Sequence, residues 1–311
     1  MISPQYRVQA DLLLQIIPII AKEEIFALEG GTAINLFIRD MPRLSVDLDL
    51  KYLPIDDRET AIRSITAGLT RIKKDLEKSF KRITVIFNPT EKGGDLKLNC
   101  QLQNAQIKIE VNTITRGHII PVRTLTLNEK VQNIFGKFAQ MQVVSDGELY
   151  GGKICAALDR QHPRDLFDIK LLLESEGITK EIKLGFIVLL LSHARPIHEL
   201  LSPHLIDQKD ALEKQFSGMS DIPFTYENYM QTRKNLINEI NAILSERDRE
   251  FLVSFKMGQP RWELFPLEIL KELPAIKWKL QNIHRLILEN PEKHAELLTS
   301  LKESILNESK F

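Results

Sequence analysis

Gly30-Gly31-Thr32 and, beyond an apolar stretch from Ala33 to Arg39, Asp47-Leu48-Asp49 are the residues best suited by type and spacing to do chemistry. A glycine pair opening a helix leaves backbone N–H groups bare of any Cβ. Such a helix start attracts phosphate, and Thr32 adds a hydroxyl beside it. In the extended segment Val46-Asp47-Leu48-Asp49-Leu50 alternate side chains share a face. The three apolar residues therefore point one way, and the two carboxylates point the other, about 7 Å apart along the strand. Two acids on one face repel each other unless a cation lies between them. Hard divalent ions suit such a pair, Mg²⁺ above all, which is held by one or two carboxylates plus substrate phosphates. Alone, a Gly-Gly pair is a turn and an Asp-x-Asp pair a solvated strand end. In this order they point to an enzyme that handles a nucleoside triphosphate.

Three further groups extend the pattern. Ile107-Lys108-Ile109-Glu110-Val111 repeats the alternation, so a shared sheet would place Glu110 on the face of Asp47 and Asp49, as a third ligand for two ions. Lys153 stands two turns into a helix among Gly151, Gly152, Ala156 and Ala157, small residues that leave room for a ligand beside an ammonium. Asp165 and Asp168 share the first face of the next helix, with Arg164 adjacent. Each has an ordinary structural counterpart: a surface glutamate, a solvated lysine, acids at a helix N-terminus. The seven histidines show no metal-ligand spacing, and there is no Gly-x-Ser-x-Gly elbow, which disfavours a zinc site or a serine hydrolase.

The elements that must position these residues alternate at first. Leu12 to Ala21 reads as a helix kinked or restarted at Pro18, Ile25 to Leu28 as a strand, Thr32 to Arg39 as a helix stopped by Met41-Pro42, and Ile55 to Phe80 as a long helix led by Asp56 and Asp57. Arg82 to Phe87, Leu96 to Leu102 and Gln106 to Val111 read as strands, giving a mixed core of at least four. From about Val144 the pattern is helical: Ser145-x-x-Glu148 has the form of a capping box, and Pro163 opens the helix Arg164 to Glu174.

With 311 residues the chain has room for two domains, and 43% apolar and 27% charged residues are those of a globular protein. Lys plus Arg and Asp plus Glu balance at 42 each, so net charge is silent about nucleic acid. Two cysteines, Cys100 and Cys155, fit a reducing compartment. Met1 to Ala10 lacks a basic region followed by an apolar core, and no apolar run is long enough to span a bilayer, so the expectation is a cytoplasmic protein without a membrane partner.

Gly30-Gly31-Thr32-Ala33 followed by Arg43-x-Ser45-x-Asp47-Leu48-Asp49-Leu50 resembles motif I of the AbiEii/AbiGii toxin family, relatives of the MenT toxins in the nucleotidyltransferase superfamily of DNA polymerase beta. Lys153 in Lys-Ile-Cys-Ala-Ala is similar to that family's lysine motif, and Arg164-Asp165-Leu166-Phe167-Asp168 to its Arg-(Lys)-Asp-x-x-Asp motif. The resemblance implies an α+β fold: a nucleotidyltransferase-like mixed sheet with flanking helices over residues 1–143, then an α-helical domain over 144–311 contributing to an active-site cleft. It implies Mg²⁺ or Mn²⁺ at Asp47, Asp49 and Glu110, and a nucleotide at Gly30, Gly31, Thr32, Arg43, Ser45, Lys153 and Arg164. It implies catalytic roles for Asp47, Asp49, Lys153, Asp165 and Asp168. Its expected reaction moves a nucleoside monophosphate from an NTP to an acceptor hydroxyl, with an RNA (tRNA) 3′ end as acceptor and an AbiEi-type antitoxin as partner. Glycine stands at 31 where many nucleotidyltransferases have serine, and Glu110 replaces the more usual aspartate, so Asp165 or Asp168 is the alternative third acid. Two other readings accompany it: a small molecule or a protein hydroxyl as acceptor, and a non-catalytic nucleotide-binding module.

Overall fold

A computed structural model of the chain describes residues 4–88 and 96–306. They fall into two compact units: Met1–Ser145 with Phe216–Pro223, and Asp146–Gln215 with Phe224–Phe311.

The first unit holds a seven-stranded mixed sheet: β1 (Phe26–Glu29), β2 (Asp47–Tyr52), β3 (Thr84–Asn88), β4 (Leu96–Leu102), β5 (Ala105–Asn112), β6 (Arg123–Thr126) and β7 (Gln140–Val143). Their order is β3-β4-β5-β2-β1-β7-β6, with β2 parallel to β5, β1 parallel to β7, and the other pairs antiparallel. Period-two alternation sorts the side chains. Leu48, Leu50, Leu98, Cys100, Ile107, Ile109 and Val111 are buried, and α1 (Pro4–Ile20) packs against β5 and β7 while α3 (Arg58–Ser79) packs against β3 and β4. The other face carries Asp47, Asp49, Lys108 and Glu110. α1 runs unbroken through Pro18, the missing N–H costing one bond in its last turn. Asp57 caps α3, its carboxylate accepting from the Thr60 N–H at 3.0 Å.

The stretch after the glycines begins as α2 (Gly30–Ala33) and widens into a π-helix over Ile34–Ile38, one continuous helical run in place of the plain helix expected there. α4 (Glu129–Phe135) connects β6 to β7. Those two strands escape a periodicity reading because each has only four residues.

The second unit is helical: α5 (Asp146–Asp159), α6 (Pro163–Glu174), α7 (Lys180–Ser192), α8 (Ile197–Leu201), α9 (Lys209–Ala211) running into a π-turn, α10 (Tyr226–Ile243), α11 (Glu246–Lys256), α12 (Pro274–Glu289) and α13 (Pro291–Leu306). Its tightest crossing joins α5 to α7. A β-carbon on Gly147 would stand 2.6 Å from the Glu181 carbonyl oxygen, one on Gly151 2.5 Å from the Phe186 nitrogen, and one on Gly185 on top of the Gly147 carbonyl. Only glycine lets two backbones approach so closely. Among the described residues, no helix is long and apolar enough to cross a membrane.

Candidate functional site

Gly30 begins α2 with φ +75°, a left-handed conformation that suits glycine. A β-carbon there would collide with the Asp49 carboxylate, so the turn lies directly against that side chain. On Gly31 the same atom would stand 2.8 Å from Arg43 Nη2 and 3.0 Å from Ser45 Oγ. Gly30, Gly31, Arg43, Ser45 and Asp49 are thus one packed group on the first unit. Thr32 is fully buried, with its hydroxyl 3.0 Å from Ser45 Oγ and donating to the Asp47 carbonyl. That hydroxyl ties α2 to β2 rather than standing out beside the turn, as the sequence suggested. Asn35 Nδ2 donates to the Gly31 carbonyl at 2.9 Å, fixing the turn from the helix side.

The loop bearing Arg43 is held by a distant strap. Leu44 N–H donates to the Met219 carbonyl at 2.8 Å, Ser220 Oγ donates to the Pro42 carbonyl at 2.7 Å, and Arg43 bridges Ser220 in antiparallel fashion. Arg43 is almost fully buried and donates through Nη1 to the Leu44 carbonyl at 2.9 Å.

The register of β2 against β5 sets Glu110 beside Asp49 and Lys108 beside Asp47, while β1 brings Glu29 to the other side of Asp49. Glu110 is engaged by two lysines, Lys108 Nζ at 2.5 Å from Oε2 and Lys97 Nζ at 3.9 Å from Oε1. Burial works against the Lys108 charge, but Glu110, then Asp47 and Asp49, outweigh it and raise its pKa. Sequence reasoning passed over Lys108, although its place two residues before Glu110 on a strand put it on the same face. Among the described residues, no three His, Cys, Asp or Glu side chains converge as a ready-made metal-ligand set. What Asp47 and Asp49 offer is a pair of hard oxygen ligands on one face, the donor number that suits Mg²⁺ when phosphates complete its shell.

The second unit assembles the other group. Lys153 on α5 is 7% exposed, its Nζ 2.9 Å from Asp165 Oδ1 and 3.1 Å from Asp168 Oδ2 on α6. Arg160 forks onto Asp165 as well, Nε to Oδ2 at 2.6 Å and Nη2 to Oδ1 at 3.0 Å. Burial alone would raise the Asp165 pKa, but Lys153 and Arg160 reverse it and hold the carboxyl well below the usual carboxylate range. Arg160 was missed in the sequence, yet it lies two turns after Lys153 and so faces the same way. Arg164, half-exposed, donates its N–H to His162 Nδ1 at 3.1 Å in the cap of α6. Of the two glycines beside Lys153, Gly151 is filled by α7 rather than left open, while Gly152 borders free space.

The turn between α5 and α6 fixes this cluster. Gln161 takes φ 51° there, and Tyr229 OH on α10 donates to its carbonyl at 2.9 Å. Arg233 Nη1, also on α10, donates to Gln161 Oε1 at 2.9 Å. The side-chain amide donates to the His204 carbonyl at 2.7 Å.

The family model for AbiEii, the nucleotidyl transferase toxin of a type IV toxin–antitoxin system, matches residues 11–282. The solved structure of MenT4, a nucleotidyltransferase toxin from Mycobacterium tuberculosis H37Rv, superposes with a TM-score of 0.61 at 12% identity, covering 90% of this chain and 93% of that one. At that identity the likeness speaks for the fold. No curated protein matches the chain in sequence.

Proposed function

The chain belongs to the AbiEii nucleotidyl transferase toxin family of type IV toxin–antitoxin systems, and on that basis we propose that it moves a nucleoside monophosphate from an NTP to an RNA hydroxyl, with a tRNA 3′ end as acceptor. A nucleotide substrate and a cognate antitoxin go with the family; the RNA acceptor and an AbiEi-type antitoxin rest on the resemblance of its motifs. The observation that carries the reading is the packing of Gly30 and Gly31 against Asp49, Arg43 and Ser45, with Asp47 on the same strand face as Asp49.

In this reading Asp47 and Asp49 hold Mg²⁺ or Mn²⁺, and the ion supplies charge neutralisation and alignment for the triphosphate. Gly30 and Gly31 let the triphosphate approach the backbone, while Arg43, Ser45 and Thr32 hold that backbone in place. Lys153 offsets charge on the reacting phosphate. A carboxylate held as far below its usual range as Asp165 is a weak base, so Asp165 orients the acceptor hydroxyl better than it removes its proton. Asp168, fully buried, steadies the Lys153 ammonium.

The test incubates the protein with Mg²⁺, each labelled NTP in turn and total tRNA, beside Asp47→Ala. Label entering tRNA with the wild type alone supports the reading and names the donor. Transfer by folded Asp47→Ala overturns the role of the acidic pair, and NTP binding without label in RNA moves the acceptor to a small molecule or protein hydroxyl, or removes turnover altogether.

A further inference from the structure

We propose that Lys108 is the resident counter-ion of the acidic face: its ammonium neutralises Glu110 and the Asp47–Asp49 pair while no divalent ion is bound, and a divalent ion that binds there displaces it. The proposal rests on the reading of Asp47 and Asp49 as ion ligands.

Geometry carries it. The parallel register puts Lys108 directly beside Asp47 and Glu110 directly beside Asp49, and the matched pleats of β2 and β5 turn all four to the same side. The lysine reaches along its own strand to Glu110 at 2.5 Å, the position from which its charge also acts on Asp47 and Asp49. Close carboxylates on one face are costly when all are ionised and no cation is near. Two other lysines share that face. Lys51 is 3% exposed, a fixed charge within the fold, and Lys97 lies farther off, 3.9 Å from Glu110. The side chain of Lys108 is 39% exposed, with its ammonium at the end of a flexible stem of four methylenes. Among the described residues, Lys108 is thus a cation on this face both close enough to compete with an ion and exposed enough to leave.

The consequence is binding by exchange. An ion held by Asp47 and Asp49 meets the Lys108 ammonium beside them, so its affinity is lower than the carboxylates alone would give until the lysine swings away. Removing one unit charge a few ångströms from a divalent ion changes its affinity by roughly tenfold even with substantial solvent screening.

Free Mn²⁺ measured by its electron paramagnetic resonance signal, without nucleotide or turnover, tests the idea. Lys108→Met is expected to bind Mn²⁺ roughly tenfold more tightly than the wild type, Lys108→Arg to bind it as the wild type does, and Asp47→Asn to lose it. Circular dichroism checks that each variant is folded, and Lys108→Gln replaces Lys108→Met if that one is not. Unchanged or weaker binding in Lys108→Met overturns the proposal while leaving the acidic pair as ion ligands. Tightening in Lys108→Arg to the same degree also overturns it, because the charge is then irrelevant. Retained Mn²⁺ binding in Asp47→Asn overturns the ion-ligand reading and this inference with it.

Discussion

Gly31 is packed so closely against Arg43 that a β-carbon on the glycine would stand 2.8 Å from Nη2. The arginine cannot simply turn aside, because it is 2% exposed and bonded to the Leu44 carbonyl. Gly31→Ala is therefore expected to fold at a cost of about 1–3 kcal/mol. The shift falls on Arg43 and Ser45, so KM for the NTP should rise more than kcat falls. Gly30→Ala adds left-handed strain and pushes on the Asp49 carboxylate, so it should also lose divalent-ion binding. Steady-state kinetics with urea unfolding measures both.

Asp165 gives a prediction in pH. Its carboxyl titrates lower in the folded chain than in the unfolded one, so its stabilisation is full above the unfolded value near ~3.9 and fades as pH falls below it. Asp165→Asn should cost about 3 kcal/mol at neutral pH, at the lower end for a broken buried pair because Lys153 keeps Asp168. The gap between the two proteins should narrow between about pH 4 and pH 2. Urea unfolding across that range checks it; a constant gap would count against the ion pair.

The α5–α7 crossing predicts opposite outcomes for two alanines. Gly185→Ala places a methyl on the Gly147 carbonyl and should cost more than about 3 kcal/mol or prevent folding of the helical unit. Gly152→Ala, on the same helix as Gly147, meets nothing within 4 Å and should be neutral or stabilising by up to about 1 kcal/mol through helix propensity. Thermal melts of the pair are sufficient.

Both thiols should be inert in the native chain. Burial pushes the Cys100 thiol up to about 12 and raises that of Cys155 further, so neither forms thiolate at pH 8. A disulfide reagent such as Ellman's should react with neither in the folded protein and with both in denaturant.

Local features were readable in the sequence because their cause is local. The Asp-Leu-Asp alternation forces two faces on β2, and the glycine pair marks the start of α2. Pro163 opens α6 as its missing N–H allows. What eluded the sequence depends on partners far along the chain. The short strands β6 and β7 are strands by virtue of their neighbours, and the register that sets Lys108 beside Asp47 is a property of two strands together. The small residues near Lys153 suggested space for a ligand, whereas Gly147 and Gly151 serve a helix crossing whose other half, Gly185, lies beyond α6. The fork of Arg160 onto Asp165 needs the turn that Tyr229 and Arg233 hold shut.

The strap that pins the Arg43 loop has a bearing on how the chain is made. Ser220 follows its partner Pro42 by 178 residues, an interval of roughly 9–36 s at ordinary rates of synthesis. A growing chain on the ribosome therefore presents a complete sheet well before the loop behind Gly31 is fastened. A message cut short between Val143 and Phe216 yields every carboxylate of the acidic strand but an unfastened loop, and its product should be harmless to the cell that makes it.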